Sequence, residues 1–333
     1  MKKHLNIFRI TLSLLLLFAC DDPETTVTNF VNTDGSVTKR VVMKSFNSVI
    51  DPKTYKVPVD STWSVAKTVE IDNNDTVWIF TMEKDFSSVE DINKSYREDS
   101  GSNKLLIRSA TFKRKFRWFN TVYSYSEKVN RILNVQINVE DYFGGDELKI
   151  FNMNESEIDS LLKGPDSLMY RAQKIKADSI AEQYLTTALV EEWVMHYLKL
   201  VPDSAFIHSK KDSLISNFAS KNLEKDSVFI PILGKDYYLS NIIAIDSAYK
   251  LLDNEFEKII SSKSYTCETV MPGKIISTNG FIDNSGKTSW NVEAKYFVSQ
   301  DYLMFAESRV VNKTAWIISI ILLISLIGII IKK

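Results

Sequence analysis

Acid–base and metal chemistry need histidines, cysteines and carboxylates held a few ångströms apart, and this chain offers few such sets. Its three histidines are His4, His196 and His208. Glu192 and His196 stand four positions apart with Glu191 alongside, so a helix places the pair on one face at metal-ligand spacing. His208 has no partner at such a spacing, and a Glu–His pair on a solvated helix face is the simpler reading. Serines, histidines and aspartates can be grouped into many triads, but no G-x-S-x-G elbow is present. No Walker loop or dinucleotide fingerprint occurs, and Gly144-Gly145 alone makes neither. The loop Asp72-Asn73-Asn74-Asp75 lacks the full ligand series of a calcium site and reads as a turn. No catalytic residue, metal ligand or cofactor is assigned, and the expectation is a protein that is not an enzyme.

The cysteines carry a different chemistry. There are two, Cys20 and Cys267. A basic start (Lys2, Lys3, His4, then Arg9) leads into the apolar run 10–19, the form of a secretory signal. The run closes in Leu17-Phe18-Ala19-Cys20, which resembles the bacterial lipobox, where a small residue precedes a cysteine that is lipidated and becomes the new N-terminus. The expectation is a signal peptide over 1–19, fatty acyl (palmitate-type) chains on Cys20, and a tether over 20–24 whose Asp21-Asp22-Pro23-Glu24 favours a solvated turn. An ordinary signal peptide that contains a cysteine is the alternative. With Cys20 acylated, Cys267 has no intramolecular partner, which excludes a disulfide-stapled fold and any CxxC zinc or redox site.

A second membrane signal lies at 315–331, AWIISIILLISLIGIII, which is free of charge and followed by Lys332-Lys333. At about 1.5 Å per residue it makes roughly 25 Å of helix, close to the ~30 Å hydrocarbon core. The expected order is a domain over 25–312, a transmembrane helix over 314–331 and a cytoplasmic tail at 332–333. Lipidation of Cys20 places the domain in the periplasm, against the bacterial inner membrane, and the terminal lysines agree with the positive-inside bias. Arg309 and Lys313 on the outer side weaken that bias without reversing it. The diacidic start after Cys20 resembles a surface-export signal in some bacteria, whereas the apolar helix argues for the inner membrane.

Composition bounds the rest. Basic and acidic residues number 41 and 42, a formal net charge of −1, so the chain as a whole has no nucleic-acid footprint. Hydrophobic residues at 44% suffice for a packed core. One stretch, 112–119, interleaves the two chemistries as Phe112-Lys113-Arg114-Lys115-Phe116-Arg117-Trp118-Phe119. On a strand, Phe112, Arg114, Phe116 and Trp118 share one face and Lys113, Lys115 and Arg117 the other. An amphipathic strand with one wet, basic face is the leading reading, ahead of a nucleic-acid platform or a contact with anionic lipid headgroups.

The elements that must carry these residues follow from periodicity. Residues 25–50 read as a hairpin about Asn32-Thr33-Asp34-Gly35, and 62–70 with 76–82 as another. Strands are expected at 111–118 and 120–126, with further short ones at 135–139 and 148–151. The composition then turns helical: a cap at 154–157, a long helix over 166–200, others over 203–223 and 246–260. Leu189, Trp193 and Tyr197 with Val190 and Val194 give the long helix a broad apolar face. Strands return at 265–270, 274–278, 287–292 and 302–312, with turns at Asn279-Gly280 and Asn284-Ser285-Gly286. The fold class is α+β: a β portion (25–151) and a second (263–312) sharing one mixed or antiparallel sheet, an inserted helical portion (152–262), and the C-terminal transmembrane helix.

Met271-Pro272-Gly273 through Asn279-Gly280, followed by Ser289-Trp290-Asn291-Val292, resembles the C-terminal hairpin of LppM-like bacterial lipoprotein domains; the lipobox and the Asp34-Gly35 hairpin are similar too. The resemblance covers the ends of the chain and leaves the helical middle unsupported. It implies a membrane-tethered envelope domain and supplies no catalytic residue. The function expected is therefore a non-enzymatic envelope lipoprotein that binds a protein partner or a lipid at the bilayer surface. Two alternatives stand beside it. One is an envelope hydrolase with a site near Glu192 and His196. The other is an accessory subunit of a membrane complex, packed through Ser319, Ser325 and Gly328.

Overall fold

The computed structural model describes residues 23–72, 75–153, 158, 161–201, 204–220 and 225–331. The signal, Cys20, the cap at 154–157 and the terminal lysines lie outside them. Strands β1 (Glu24–Val31), β2 (Val37–Ser45), β3 (Ser64–Asp72) and β4 (Asp75–Phe86) are followed by helix α1 (Val89–Arg97), β5 (Arg108–Arg117) and β6 (Asn120–Val129). Helices α2 (Gly145–Asn152), α3 (Ser167–Leu198), α4 (Ser204–Ser220), α5 (Lys225–Leu233), α6 (Lys235–Ser240) and α7 (Ile242–Ser261) come next. The chain then forms β7 (Tyr265–Val270), β8 (Lys274–Thr278), β9 (Phe281–Ile282), β10 (Thr288–Val292), β11 (Tyr302–Val311) and helix α8 (Lys313–Ile331). It is an α+β chain with two compact units, one of residues 23–129, 264–292 and 302–331, the other of 130–263 and 293–301.

In the β unit the two β portions meet, but in two sheets rather than the one expected. Seven strands run in the order β3-β4-β2-β1-β7-β10-β9, and four in the order β5-β6-β11-β8. β1 pairs with β7 in parallel, and β6 with β11 antiparallel. The division follows from the turn between β7 and β8. There Gly273 has φ +82°, a conformation that L side chains rarely adopt, and a Cβ on it would lie 2.5 Å from the Arg309 carbonyl oxygen. The chain thus leaves the first sheet and pairs with β11 in the second. Alternation is strict where one face is covered: Tyr123, Tyr125, Glu127 and Val129 of β6 are buried, as are Tyr265, Cys267 and Thr269 of β7. Helix α1 is capped by Ser88, whose side chain accepts from the Asp91 amide, and buries Val89, Ile92 and Tyr96.

The interior of this unit holds charge. Lys39 and Glu127 lie 2.7 Å apart with 2% and 5% of their side chains exposed, so the ion pair joins β2 of one sheet to β6 of the other away from water. Lys39 also donates to Tyr96 Oη at 2.9 Å. Tyr96 and Tyr125 donate to the Glu127 oxygens at 2.7 and 2.6 Å, which satisfies both. Burial pushes the Glu127 carboxyl up, but Lys39 and these hydrogen bonds together hold it below the usual glutamate range. Arg108 pairs with Asp99 and stacks over the Tyr96 ring at 4.6 Å.

The helical unit is built on α3. Leu189, Trp193, Tyr197, Val190 and Val194 are buried as their spacing requires, against Ile207 and Leu214 of α4, Phe229 of α5 and Ile245 and Leu252 of α7. Residues 293–301 return here: the Ile132 and Leu133 amides donate to the Phe297 and Val298 carbonyls, and Tyr184 Oη meets Ser299 Oγ at 2.7 Å. Two expected strands are corrected. Of 135–139, residues 135–138 are in no strand and Val139 begins a 3₁₀ turn (Val139–Asp141), and 148–151 belong to helix α2. A short apolar run fits either period, and Asp146 and Glu147 in the first turn favour the helix N-terminus. Helix α5 was hidden by Pro231, which sits inside it.

Candidate functional site

The four-stranded sheet carries the basic strand singled out in the sequence, and register decides what surrounds it. Lys115 of β5 stands opposite Val122, Val122 opposite Arg309 of β11, and Arg309 opposite Lys274 of β8. One rung away, Lys113 faces Ser124 and Ser124 faces Glu307; one rung the other way, Arg117 faces Asn120 and Asn120 faces Val311. Residues two apart on a strand share a face, so Lys113, Lys115, Arg117, Arg309 and Lys274 collect on one exposed side of the sheet. Lys113, Lys115, Arg117 and Arg309 border a groove of about 380 Å³, with Ile276 in its lining. The carboxylate in that groove, Glu307, accepts from Ser124 Oγ at 2.6 Å. Among the described residues, no carboxylate pairs with Lys113, Lys115, Arg117 or Arg309. The opposite face of the same hairpin is apolar at its tip: Phe116 and Trp118 are 62% and 50% exposed.

That tip is tied to helix α8. Asn312, the residue between β11 and α8, donates from Nδ2 to the Arg117 carbonyl at 2.7 Å and accepts at Oδ1 from Thr121 Oγ1 at 2.9 Å. Trp118 Nε1 donates to Ser319 Oγ at 2.8 Å, and the Phe119 and Trp316 rings lie 4.5 Å apart. The β5–β6 turn therefore reaches past the start of α8 and rests on its first two turns. Helix α8 has 19 residues, a mean hydropathy of 2.8 and 6% of its apolar window buried, so it is long and apolar enough to cross a membrane. Ser319, one of the small or polar residues of the membrane-complex alternative, accepts from Trp118, and Ser325 donates to the Ile321 carbonyl within α8.

The other chemistry-bearing residues are placed apart from this face. Glu192 is fully buried, not solvated, and its carboxylate accepts from the Asn134 amide at 2.8 Å, Asn134 Nδ2 at 2.6 Å and the Val135 amide at 2.9 Å. His196 Nε2 lies 2.9 Å from the same carboxylate. Glu191 points elsewhere, to Lys211 at 2.7 Å, and His208 is exposed. Among the described residues, no three His, Cys, Asp or Glu side chains form a group fit to hold a metal. Cys267 is buried, accepts weakly from Asn29 at 3.5 Å, and burial raises its thiol pKa far above the ordinary value. Of the acidic loop, Asp72 pairs with Asp75 across the turn, and Asn73 and Asn74 lie outside the described residues. Trp290 is a core aromatic, donating to Asn279 Oδ1 at 3.0 Å.

No family model matches the chain. No curated protein matches it either. Among solved structures, the NMR structure of the folded domain of Mycobacterium tuberculosis LppM aligns over 89% of this chain and 94% of that one. Identity is 8% and the TM-score 0.27, so no argument about fold or function rests on that likeness.

Proposed function

We propose that this chain is a non-enzymatic envelope lipoprotein, held to the bacterial inner membrane by acyl chains on Cys20 and by α8, whose exported domain binds a protein or lipid at the bilayer surface. The observation that carries this reading is the junction of β11 and α8. A single residue, Asn312, separates the sheet from a helix apolar enough to span, and it is fastened to the β5–β6 turn. A tether of one residue leaves the four-stranded sheet no freedom to leave the membrane surface once α8 is inserted. Trp118, Phe119 and Trp316 cluster where an interfacial aromatic belt is placed in membrane proteins. The lipobox at Cys20 and the basic start of the chain support export by the lipoprotein route. The buried carboxylate of Glu192, occupied by backbone and side-chain amides, supports a binding role over hydrolysis at that pair.

The test is membrane fractionation with mass analysis of the mature N-terminus, in wild type and in Cys20→Ala. The expected result is an inner-membrane protein whose N-terminal peptide begins at an acylated Cys20. An unmodified N-terminus running upstream of Cys20 overturns the lipoprotein reading.

A further inference from the structure

We infer that the basic groove on the outer face of the β5-β6-β11-β8 sheet receives the phosphates of anionic phospholipids in the leaflet that α8 enters. This rests on the reading of α8 as a membrane span. Depth follows from the register. Arg117 and Val311 stand about 7 Å above the start of α8 at the strand rise of ~3.3 Å per residue, Lys115 and Arg309 about 13 Å, and Lys113 about 20 Å. Ser319, which Trp118 touches, lies about 9 Å along α8 from Lys313 at 1.5 Å per residue. The hairpin thus dips into the apolar side of the interface, while its charged rungs rise from Arg117 in the headgroup layer, through Lys115 and Arg309 just above it, to Lys113 well clear of it. Beyond the ~30 Å core, that layer occupies roughly 5–8 Å per leaflet. The lower rungs lie within it or within a Debye length of ~8 Å.

The chemistry matches. Arg117, Lys115 and Arg309 have no carboxylate partner among the described residues, so binding a phosphate breaks no internal ion pair. Arginine offers a planar fork for phosphate oxygens and lysine a compact cation, and both occur in adjacent rungs. The groove of about 380 Å³ compares with ~30 Å³ per water, so a headgroup phosphate fits with its hydration. Below the cations, the turn residues Trp118 and Phe119 rest on the first two turns of α8 at the depth of the acyl chains, so the hairpin matches both halves of a phospholipid. A soluble acidic protein would use the cations but would leave the exposed parts of Trp118 and Phe119 without an apolar counterpart.

The full chain in nanodiscs tests this. Amine acylation rates of Lys113, Lys115 and Lys274 are read by peptide mass spectrometry in discs of phosphatidylcholine and in discs containing phosphatidylglycerol. Lys115 is expected to react at least about fivefold more slowly in the anionic discs, because each basic group near such a surface gains roughly that factor. High salt is expected to remove the difference, and Lys115→Glu/Arg309→Glu to abolish it at Lys274, which stands beside Arg309 on the same rung. Both substituted positions are exposed, so the melting temperature is expected to hold. Equal rates in the two disc types overturn the assignment and leave the groove to water or to an acidic protein. Elution of the chain apart from the discs instead sinks the membrane reading itself, before any rate is compared.

Discussion

Glu127 and Lys39 show how a single pair joins sequence to stability. Removing one partner of a buried ion pair leaves an uncompensated charge, at a cost of about 3–5 kcal/mol. Lys39→Met is therefore expected to lower stability by that amount, measured by denaturant unfolding. The pH dependence has a definite sign. Glu127 is held below its ordinary value of 4.5, so its contribution is complete above that value and is lost as pH falls through the lower folded one. Melting temperatures from pH 7 to pH 3 are expected to fall in wild type below about 4.5 and to lose this component in Lys39→Met. A component that persists undiminished in the variant would assign the acid sensitivity to other carboxylates. At the same scale, Glu192→Ala strips the Asn134 and Val135 amides of their acceptor and is expected to cost about 2–4 kcal/mol. Spacing in the sequence revealed the Glu192–His196 pair but not its surroundings. Asn134 lies 58 positions away, and nothing local announces that its amides will close on the carboxylate.

Elements were legible where their period was unambiguous. β7, β8, β10 and β11 lie within a residue or two of their expected bounds, because Pro-Gly, Asn-Gly and Asn-Ser-Gly punctuate a β-rich stretch. The apolar face of α3 was legible for the same reason. Short apolar runs such as 148–151 were not, since strand and helix share them, and neither was the split into two sheets, which depends on where the Gly273 turn sends the chain. The basic groove was half legible: alternation separated Lys115 from Phe116, but Arg309 and Lys274 join Lys115 only through cross-strand register. Asn312 illustrates what register adds. The sequence places it at the end of the strand expected over 302–312, yet its side chain ties the Arg117 carbonyl and Thr121 hydroxyl of another strand pair to the start of α8. Asn312→Ala is expected to speed amide exchange across 117–121 by about tenfold, the loss of roughly 1.4 kcal/mol. Unchanged exchange there would mean that Trp118 and Phe119 hold the turn alone.

At the scale of the whole molecule, the two anchors differ in strength, and that difference is measurable. A single acyl chain holds a protein to a membrane only marginally, several hold it firmly, and a spanning helix holds it in effect permanently. Cys20→Ala is therefore expected to leave the chain in the membrane pellet after an alkaline carbonate wash, because α8 remains. Deletion of 313–331 is expected to leave it membrane-bound through the acyl chains. Only the combination should release it. Release should not cost the fold, since among the described residues of α8 Ala315 alone is buried, and the Trp118 and Phe119 side chains rest on its exposed first turns. The doubly altered chain is expected to melt cooperatively within a few degrees of wild type, with Trp118 and Phe119 now facing water. Release by Cys20→Ala alone would show that α8 does not span, and would move the site of any lipid contact from the basic groove to the lipidated end.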